Sequence, residues 1–193
     1  MSENQPRAYA EMTFSIRRAY IEDAHTIAEL KLTTFREAFL EDFAIPYPAA
    51  DLAHFEAASY GPAKIATELS NPLHATWVAD DGDMLLAYAH VGPCKLPHRD
   101  VQPNEGELYQ IYVRRSAQGS RLGGQLLDIS LEWLGNNTPG AIWLGAWAGN
   151  ARAHAIYSSR GFVKVGEYEF AVGDWNDREF IFRRGRSDKP ATD

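Results

Sequence analysis

The stretch Leu108-Tyr109-Gln110-Ile111-Tyr112-Val113-Arg114-Arg115-Ser116-Ala117-Gln118-Gly119-Ser120-Arg121-Leu122-Gly123-Gly124-Gln125-Leu126-Leu127 constrains the fold more than any other part of the chain. Glu107 to Val113 is rich in aromatic and β-branched residues and reads as a strand. Leu122, Leu126, Leu127, Ile129/Ser130 and Trp133/Leu134 recur at helical spacing. A strand that passes through small residues and glycines into a helix lets a ligand approach the backbone closely. The first N–H groups of that helix have no helical partner and can face an anion. Arg114, Arg115 and Arg121 gather positive charge around the same loop.

Two familiar phosphate loops do not fit. The nucleoside-triphosphate loop ends in Gly-Lys-Ser/Thr, which is absent here, and the dinucleotide fingerprint G-x-G-x-x-G does not match Gly119, Gly123 and Gly124. The arginines also stand out against their background. The 193 residues hold 19 Lys+Arg against 26 Asp+Glu, a net charge of −7. Such a chain is poorly suited to wrapping nucleic acid, so no nucleic-acid partner is expected. No apolar run has the length of a membrane span, and no membrane partner is expected. The single cysteine, Cys94, excludes an internal disulfide, and the polar start of the chain has no leader character. Both point to the cytoplasm. The six histidines show no ligand spacing with Cys94 or with acids, so no metal is expected.

Elsewhere the pattern alternates between strands and helices. Phe14 to Arg17 is strand-like, and Ala24 to Phe39 is helical behind Glu22 and Asp23. Pro46 to Leu69 gives one or two short helices broken at Gly61-Pro62. His74–Ala79 and Met84–Val91 form a hairpin across Asp80-Asp81-Gly82-Asp83, and the proline-rich Gly92–Pro103 is a loop. Ala141–Trp147 is a strand, and Asn150–Arg160 is a helix closed by Gly161. Two strands follow, Phe162–Ala171 and Arg178–Arg183. This order predicts a mixed α/β (α+β) fold with a central mixed sheet. Residues 1–12 read as a flexible arm, 13–185 as one domain and 186–193 as a flexible tail.

With both loops in view, the chain resembles the GCN5-related N-acetyltransferase (GNAT) superfamily from about Thr13 to Arg184, most specifically from Glu107 to Phe162. The family's Gln/Arg-x-x-Gly-x-Gly/Ala loop is matched by Gln118-Gly119-Ser120-Arg121-Leu122-Gly123, with Arg121 standing where the first motif glycine is usual. The loop binds pyrophosphate with this arginine if the residue is helical and its side chain turns outwards. The family's second element, a strand, an Asn-bearing turn, a helix with Tyr and a Gly-Phe step, is matched from Trp143 to Phe162 through Asn150, Tyr157 and Gly161-Phe162.

The resemblance implies a single-domain fold whose sheet is mostly antiparallel, flanked by helices and splayed between the fourth and fifth strands. It implies acetyl-CoA as co-substrate and transfer to a primary amine by direct attack. Gln118, Gly119, Ser120, Arg121, Leu122, Gly123 and Gly124 would hold the pyrophosphate. Backbone groups of Ile111, Tyr112 and Val113 would pair with the pantetheine, and Asn150 would contact the same arm. Tyr157 would donate a proton to the thioester sulfur.

Glu107 occupies the place where the histone-acetylating branch carries a catalytic Glu. Strand alternation sets Glu107, Tyr109, Ile111 and Val113 on one face. An acid at a strand start is also a common solvated position, and many members use a water chain instead. His90 is a weaker alternative base. Phe35–Leu69 and Gly92–Pro103 would form the acceptor site, and the acids Glu37, Glu41, Asp42, Asp51 and Glu56 there hint at a cationic acceptor: a small amine, a polyamine or a basic peptide N-terminus. The resemblance leaves room for a homodimer. Two other functions share these features, an acyl-CoA sensor without turnover and a nucleotide-binding regulatory module.

Overall fold

The computed structural model describes residues 14–186; the arm read over residues 1–12 and the tail beyond Arg186 lie outside them. Seven strands form one sheet: β1 (Ser15–Arg18), β2 (Ala75–Asp80), β3 (Leu85–Pro93), β4 (Gly106–Val113), β5 (Ile142–Trp147), β6 (Val163–Val172) and β7 (Trp175–Arg184). Their order in the sheet is β1-β2-β3-β4-β5-β7-β6. Every neighbouring pair is antiparallel except β4 and β5. The fold is therefore the mixed, mostly antiparallel α/β sheet that the element order predicts.

That parallel pair is short. β4 and β5 are joined only from Gly106↔Ile142 to Leu108↔Leu144. Beyond it, β4 stays with β3 as far as Val113, and β5 stays with β7 as far as Trp147↔Glu179. The sheet consequently splits between its fourth and fifth strands. One edge of each is left without a backbone partner strand.

The helices cover both faces. α1 (Ala24–Phe35), α2 (Ala49–Ser59) and α3 (Pro62–Ser70) precede β2, while α4 (Leu122–Asn137) and α5 (Ala151–Ser159) flank β5 in sequence. α4 buries Leu122, Leu126, Leu127, Leu131 and Leu134, one stripe at helical spacing, against Ala87, Ala89, Val91, Leu108 and Leu144. On the other face Ile27, Leu30 and Ile65 pack on Val78, Leu85 and Tyr88. Trp143 is fully buried there with Leu96 and Ile181. The first helix is longer than its spacing suggests, because α1 continues into a π-helical segment, Arg36–Asp42. Such segments are rare and frequently lie at functional sites.

Of the three register shifts in the sheet, the one between β3 and β4 bears on the site. His90 pairs with Gln110 but Val91 pairs with Leu108, so Tyr109 is an extra residue in β4, a β-bulge. The bulge reverses the faces: Leu108, Ile111 and Val113 pack on the α4 side, whereas Tyr112 packs against the cluster of Tyr88 on the opposite side. Glu107, beside Trp143 in the register, shares that opposite face. The expectation that Glu107 lies on one face with Ile111 and Val113 is thus corrected.

Candidate active site

A cavity of about 1030 Å³ runs through the split in the sheet. On the α4 and α5 side its wall includes Gln118, Gly119, Arg121, Leu122, Gly123 and Gly124, followed by Asn150, Arg152, Tyr157 and Arg160. On the other side lie residues of α1, the π-helical segment, α3, the 95–97 loop and the β6–β7 hairpin. β4 contributes Glu107 to Val113 between the two. The expected cofactor-loop residues, with the exception of Ser120, and the two expected catalytic residues therefore line one continuous space. The hydroxyl of Ser120 donates instead to Ala117 O at 2.6 Å, closing the turn.

The loop reaches α4 through two left-handed residues, Gly119 (φ +85°) and Arg121 (φ +67°, ψ +4°). The expectation of a helical Arg121 is corrected: the residue is the N-cap, in the left-handed conformation that a glycine adopts without a Cβ penalty, so the backbone keeps the shape of a loop with glycine at this position. Its backbone carbonyl accepts the first helical bond of α4, from Gln125 N at 3.2 Å. The N–H groups of Leu122, Gly123 and Gly124 precede that bond and remain open toward the cavity end of the helix. A Cβ at Gly119 would meet nothing within 4 Å and one at Gly123 would sit 3.4 Å from Val113, so the cradle is shaped by backbone.

The arginine cluster is differently made than the sequence suggests. Arg115 is engaged with the π-helical segment, through Glu41 and Asp42 at 2.6 Å each, while its backbone N–H donates to Glu37 at 2.9 Å. Arg114 donates its Nε to Leu85 O at 2.9 Å. These carboxylates lie more than 70 residues away in sequence, and no local pattern announces them. The cations on the cofactor side of the cavity are instead Arg121, Arg152 and Arg160, the last paired with Asp128 at 3.0 Å.

Asn150 caps α5, its Oδ1 accepting from Ala153 N at 3.0 Å. That bond fixes the side chain on the cavity wall and leaves its amide nitrogen without a partner among the described residues. Tyr157 lies two turns on, packed against Phe162 and Phe182 with ring centroids 6.1 and 6.2 Å away. Its hydroxyl has no hydrogen-bond partner among the described residues. Burial, with Glu179 adding to it, pushes its pKa up to about 12, so the phenol keeps its proton at neutral pH.

Glu107 is buried, 7% exposed. Its carboxylate accepts from Lys95 N at 2.7 Å, and the Cys94 thiol lies beside it. Burial outweighs these contacts and raises its pKa to about 7, in the range where a carboxylate exchanges protons at physiological pH. Cys94 itself is raised to about 12 by burial, which leaves the thiol unreactive. His90 also lines the cavity but is held neutral by burial, bonded to Thr76 at 2.7 Å and 3.9 Å from Glu68. Its neighbours, the buried Lys31 and the half-buried Glu68, pair at 3.0 Å.

Several cavity residues have no signal in the sequence. Glu179 on β7 accepts from Tyr168 Oη at 2.6 Å. Asp177, two residues earlier, accepts from Tyr47 Oη and from Trp175 Nε1 at 3.0 Å. Both are acids in a hairpin whose composition suggests only strand and turn. Trp147, which strand spacing does set on one face with Trp143, reaches the same wall, 4.5 Å from the Phe43 ring. Among the described residues no group of three or more His, Cys, Asp or Glu is arranged to hold a metal ion, and no helix is long and apolar enough to cross a membrane.

The model of the Acetyltransferase (GNAT) family matches residues 32–162. The chain is 27% identical over 149 residues to an uncharacterised N-acetyltransferase of the pepI 3′ region of Lactobacillus delbrueckii subsp. lactis, covering 77% of this chain and 86% of the relative. Among solved structures, PaiA N-acetyltransferase from Thermoplasma acidophilum in complex with coenzyme A superposes with a TM-score of 0.67 at 20% identity, over 90% of this chain and 99% of that one. The ribosomal-protein-alanine N-acetyltransferase of Brucella melitensis gives 0.64 at 22% identity, over 89% and 99%. A candidate acetyltransferase of Salmonella typhimurium, YncA, with its cofactor acetyl-CoA, gives 0.65 at 19% identity, over 93% and 98%. At these identities the superpositions establish the shared fold.

Proposed function

The chain belongs to the GNAT acetyltransferase family, and on that premise we propose that it is an acetyl-CoA-dependent N-acetyltransferase acting on a primary amine by direct attack. The observation that carries this reading is the split between β4 and β5. It opens a strand edge at Tyr109–Val113 that leads from the N–H groups opening α4 to the hydroxyl of Tyr157, neither of which has a partner among the described residues. A CoA thioester has a phosphate-bearing end, a strand-like arm with amide groups and a reactive carbonyl. The cavity offers a cradle for each.

The N–H groups of Leu122, Gly123 and Gly124, with Arg121 and Arg152 beside them, suit a pyrophosphate. Ile111, Tyr112 and Val113 present the open edge of β4 to the pantetheine, as an added strand would use it. The amide nitrogen of Asn150 supplies one more donor on the facing wall. Acetyl-CoA brings an activated acyl carbon and a thiolate leaving group. A β4 N–H stabilises the carbonyl oxygen as negative charge grows on it. The amine nitrogen forms the new C–N bond, the C–S bond breaks, and the electron pair passes to sulfur. Tyr157 gives its proton to that sulfur as the C–S bond breaks; the transfer is uphill for a phenol raised to about 12 against a thiol near about 8.5, and it is completed when the phenolate regains a proton from solvent. The proton lost by the amine goes to Glu107, or to water held beside it. The lone, half-buried Cys94 and this cofactor both suit a cytoplasmic setting.

The test is Tyr157→Phe. The variant should bind acetyl-CoA as wild type does while kcat falls about a hundredfold or more. An unchanged kcat removes Tyr157 from the chemistry. Acetyl-CoA binding with no thiol release on any amine would make the protein a cofactor sensor.

A further inference from the structure

Resting on the acetyltransferase reading, the geometry of the acceptor side points to its substrate: we infer that it takes a primary alkylammonium ion with an apolar body and no carboxylate, held through Glu179 at the split in the sheet.

The position of Glu179 follows from a vacancy in β5. Gly145 is the first β5 residue beyond the last β4–β5 pair. A Cβ there would lie 2.7 Å from Glu179 Oε2 and 2.9 Å from the Tyr168 hydroxyl. The carboxylate therefore reaches across β5 from β7, over the point where the strands part. Glu107 lies on β4 just before the strands part, beside Trp143 in the register and facing the same side of the sheet. An amine approaching a thioester in the split meets one carboxylate from each side.

The acceptor side is short of cations where these acids lie. Glu179 is bonded by the neutral Tyr168, Asp177 by the neutral Tyr47 and Trp175, and Glu107 by a backbone N–H. Among the described residues none of the three forms an ion pair. Of the lysines lining this half, Lys31 is paired with Glu68 and Lys64 donates to Ala58 O. Lys95 lies over the Tyr109 ring at 4.4 Å, and its charge acts on Glu107 alone of the three acids, without an ion pair. Glu179 and Asp177 have no lysine beside them among the described residues. Carboxylates removed from water without a cation are costly, and Glu179 is accordingly raised by burial and by Asp177. A cationic ligand reverses that cost, whereas a ligand carboxylate adds to it.

The wall around them is aromatic. Trp147, Phe43, Phe39, Phe35, Phe55 and Phe170 follow one another with ring centroids 4.5, 5.7, 4.9, 5.3 and 5.9 Å apart, and all six line the cavity. Ring faces attract an ammonium and pack equally well on methylenes or on another ring. Two amines share this chemistry, an arylalkylamine and a linear diamine whose second ammonium would reach Asp177.

The experiment is calorimetric. Phenethylamine, 1,5-diaminopentane and phenylalanine are titrated into the protein with and without CoA, for wild type, Glu179→Gln and Tyr168→Phe. At least one amine should bind, and phenylalanine, which carries the same ring with a carboxylate, should bind at least about tenfold more weakly than phenethylamine or the diamine. Glu179→Gln should weaken amine binding about tenfold or more while CoA affinity is retained. Tyr168→Phe, which keeps the carboxylate, should change it less than about threefold. Phenylalanine binding as well as the amines, no amine binding, or an unchanged Glu179→Gln variant overturns the inference. A protein that binds amines but not CoA contradicts the acetyltransferase reading and leaves the cation site standing. One that binds CoA but no amine does the reverse.

Discussion

Glu107→Gln separates burial from catalysis in a single substitution. The native carboxyl holds its proton to about pH 7 because it is buried, whereas the unfolded one releases it near 4.5. Between those values the folded state binds the extra proton, so stability falls as pH rises through the window. At about 1.4 kcal/mol per pKa unit, full ionisation costs the native state about 3 kcal/mol. Gln keeps an acceptor for Lys95 N and cannot ionise. The variant should therefore exceed wild type by about 2–3 kcal/mol in urea unfolding at pH 8, and the gap should shrink to about 1 kcal/mol or less at pH 5. A gap that is equal at both pH values, or a wild type more stable at pH 8, would refute the burial argument. The same pair of proteins decides the base. If Glu107 accepts the amine proton, wild-type kcat/KM rises with pH through a limb near 7 and the variant loses that limb. A limb that persists in the variant assigns the proton to water.

Arg121→Gly removes a side chain from a left-handed position. Relief of about 1 kcal/mol of strain is offset by the greater freedom of unfolded glycine, so thermal stability should be unchanged or up to about 1 kcal/mol higher. CoA affinity should fall about three- to tenfold with a weaker salt dependence; a loss of stability beyond 1 kcal/mol would contradict the conformational account. Glu105→Gln addresses the turn that leads into β4 beside the start of β5. The native carboxylate accepts from Ala141 N at 2.8 Å, Trp143 Nε1 at 2.6 Å and Gln102 N at 3.1 Å. An amide must turn a donor toward one of these donors, at a cost of about 2–4 kcal/mol in urea unfolding; a cost under about 1 kcal/mol would show that the loop adapts.

How far the sequence reaches can be judged at particular residues. The strands and helices are legible because their periodicities are local, and the loop from Gln118 to Gly124 is legible because glycines mark a backbone conformation. Arg121 is visible as the odd residue of that loop, yet its left-handed geometry is not, since a non-glycine residue argues against that conformation. The face of Glu107 is misread because one extra residue at Tyr109 shifts the alternation, and a bulge has no composition of its own. Arg115 is misassigned because its partners, Glu37, Glu41 and Asp42, come from another element. Glu179 is invisible for a related reason: its role depends on β7 lying beside β5 and on Gly145 making room, and neither strand alone carries that information.

The most direct test of the whole account is mass spectrometry of amine products made with acetyl-CoA, with free thiol followed in the same reaction. The account predicts an N-acetylated amine and one thiol per acetyl group transferred, with a linear start and no acetylated enzyme. Thiol release without an acetylated amine, or a burst that leaves an acetyl group on the protein, would contradict it.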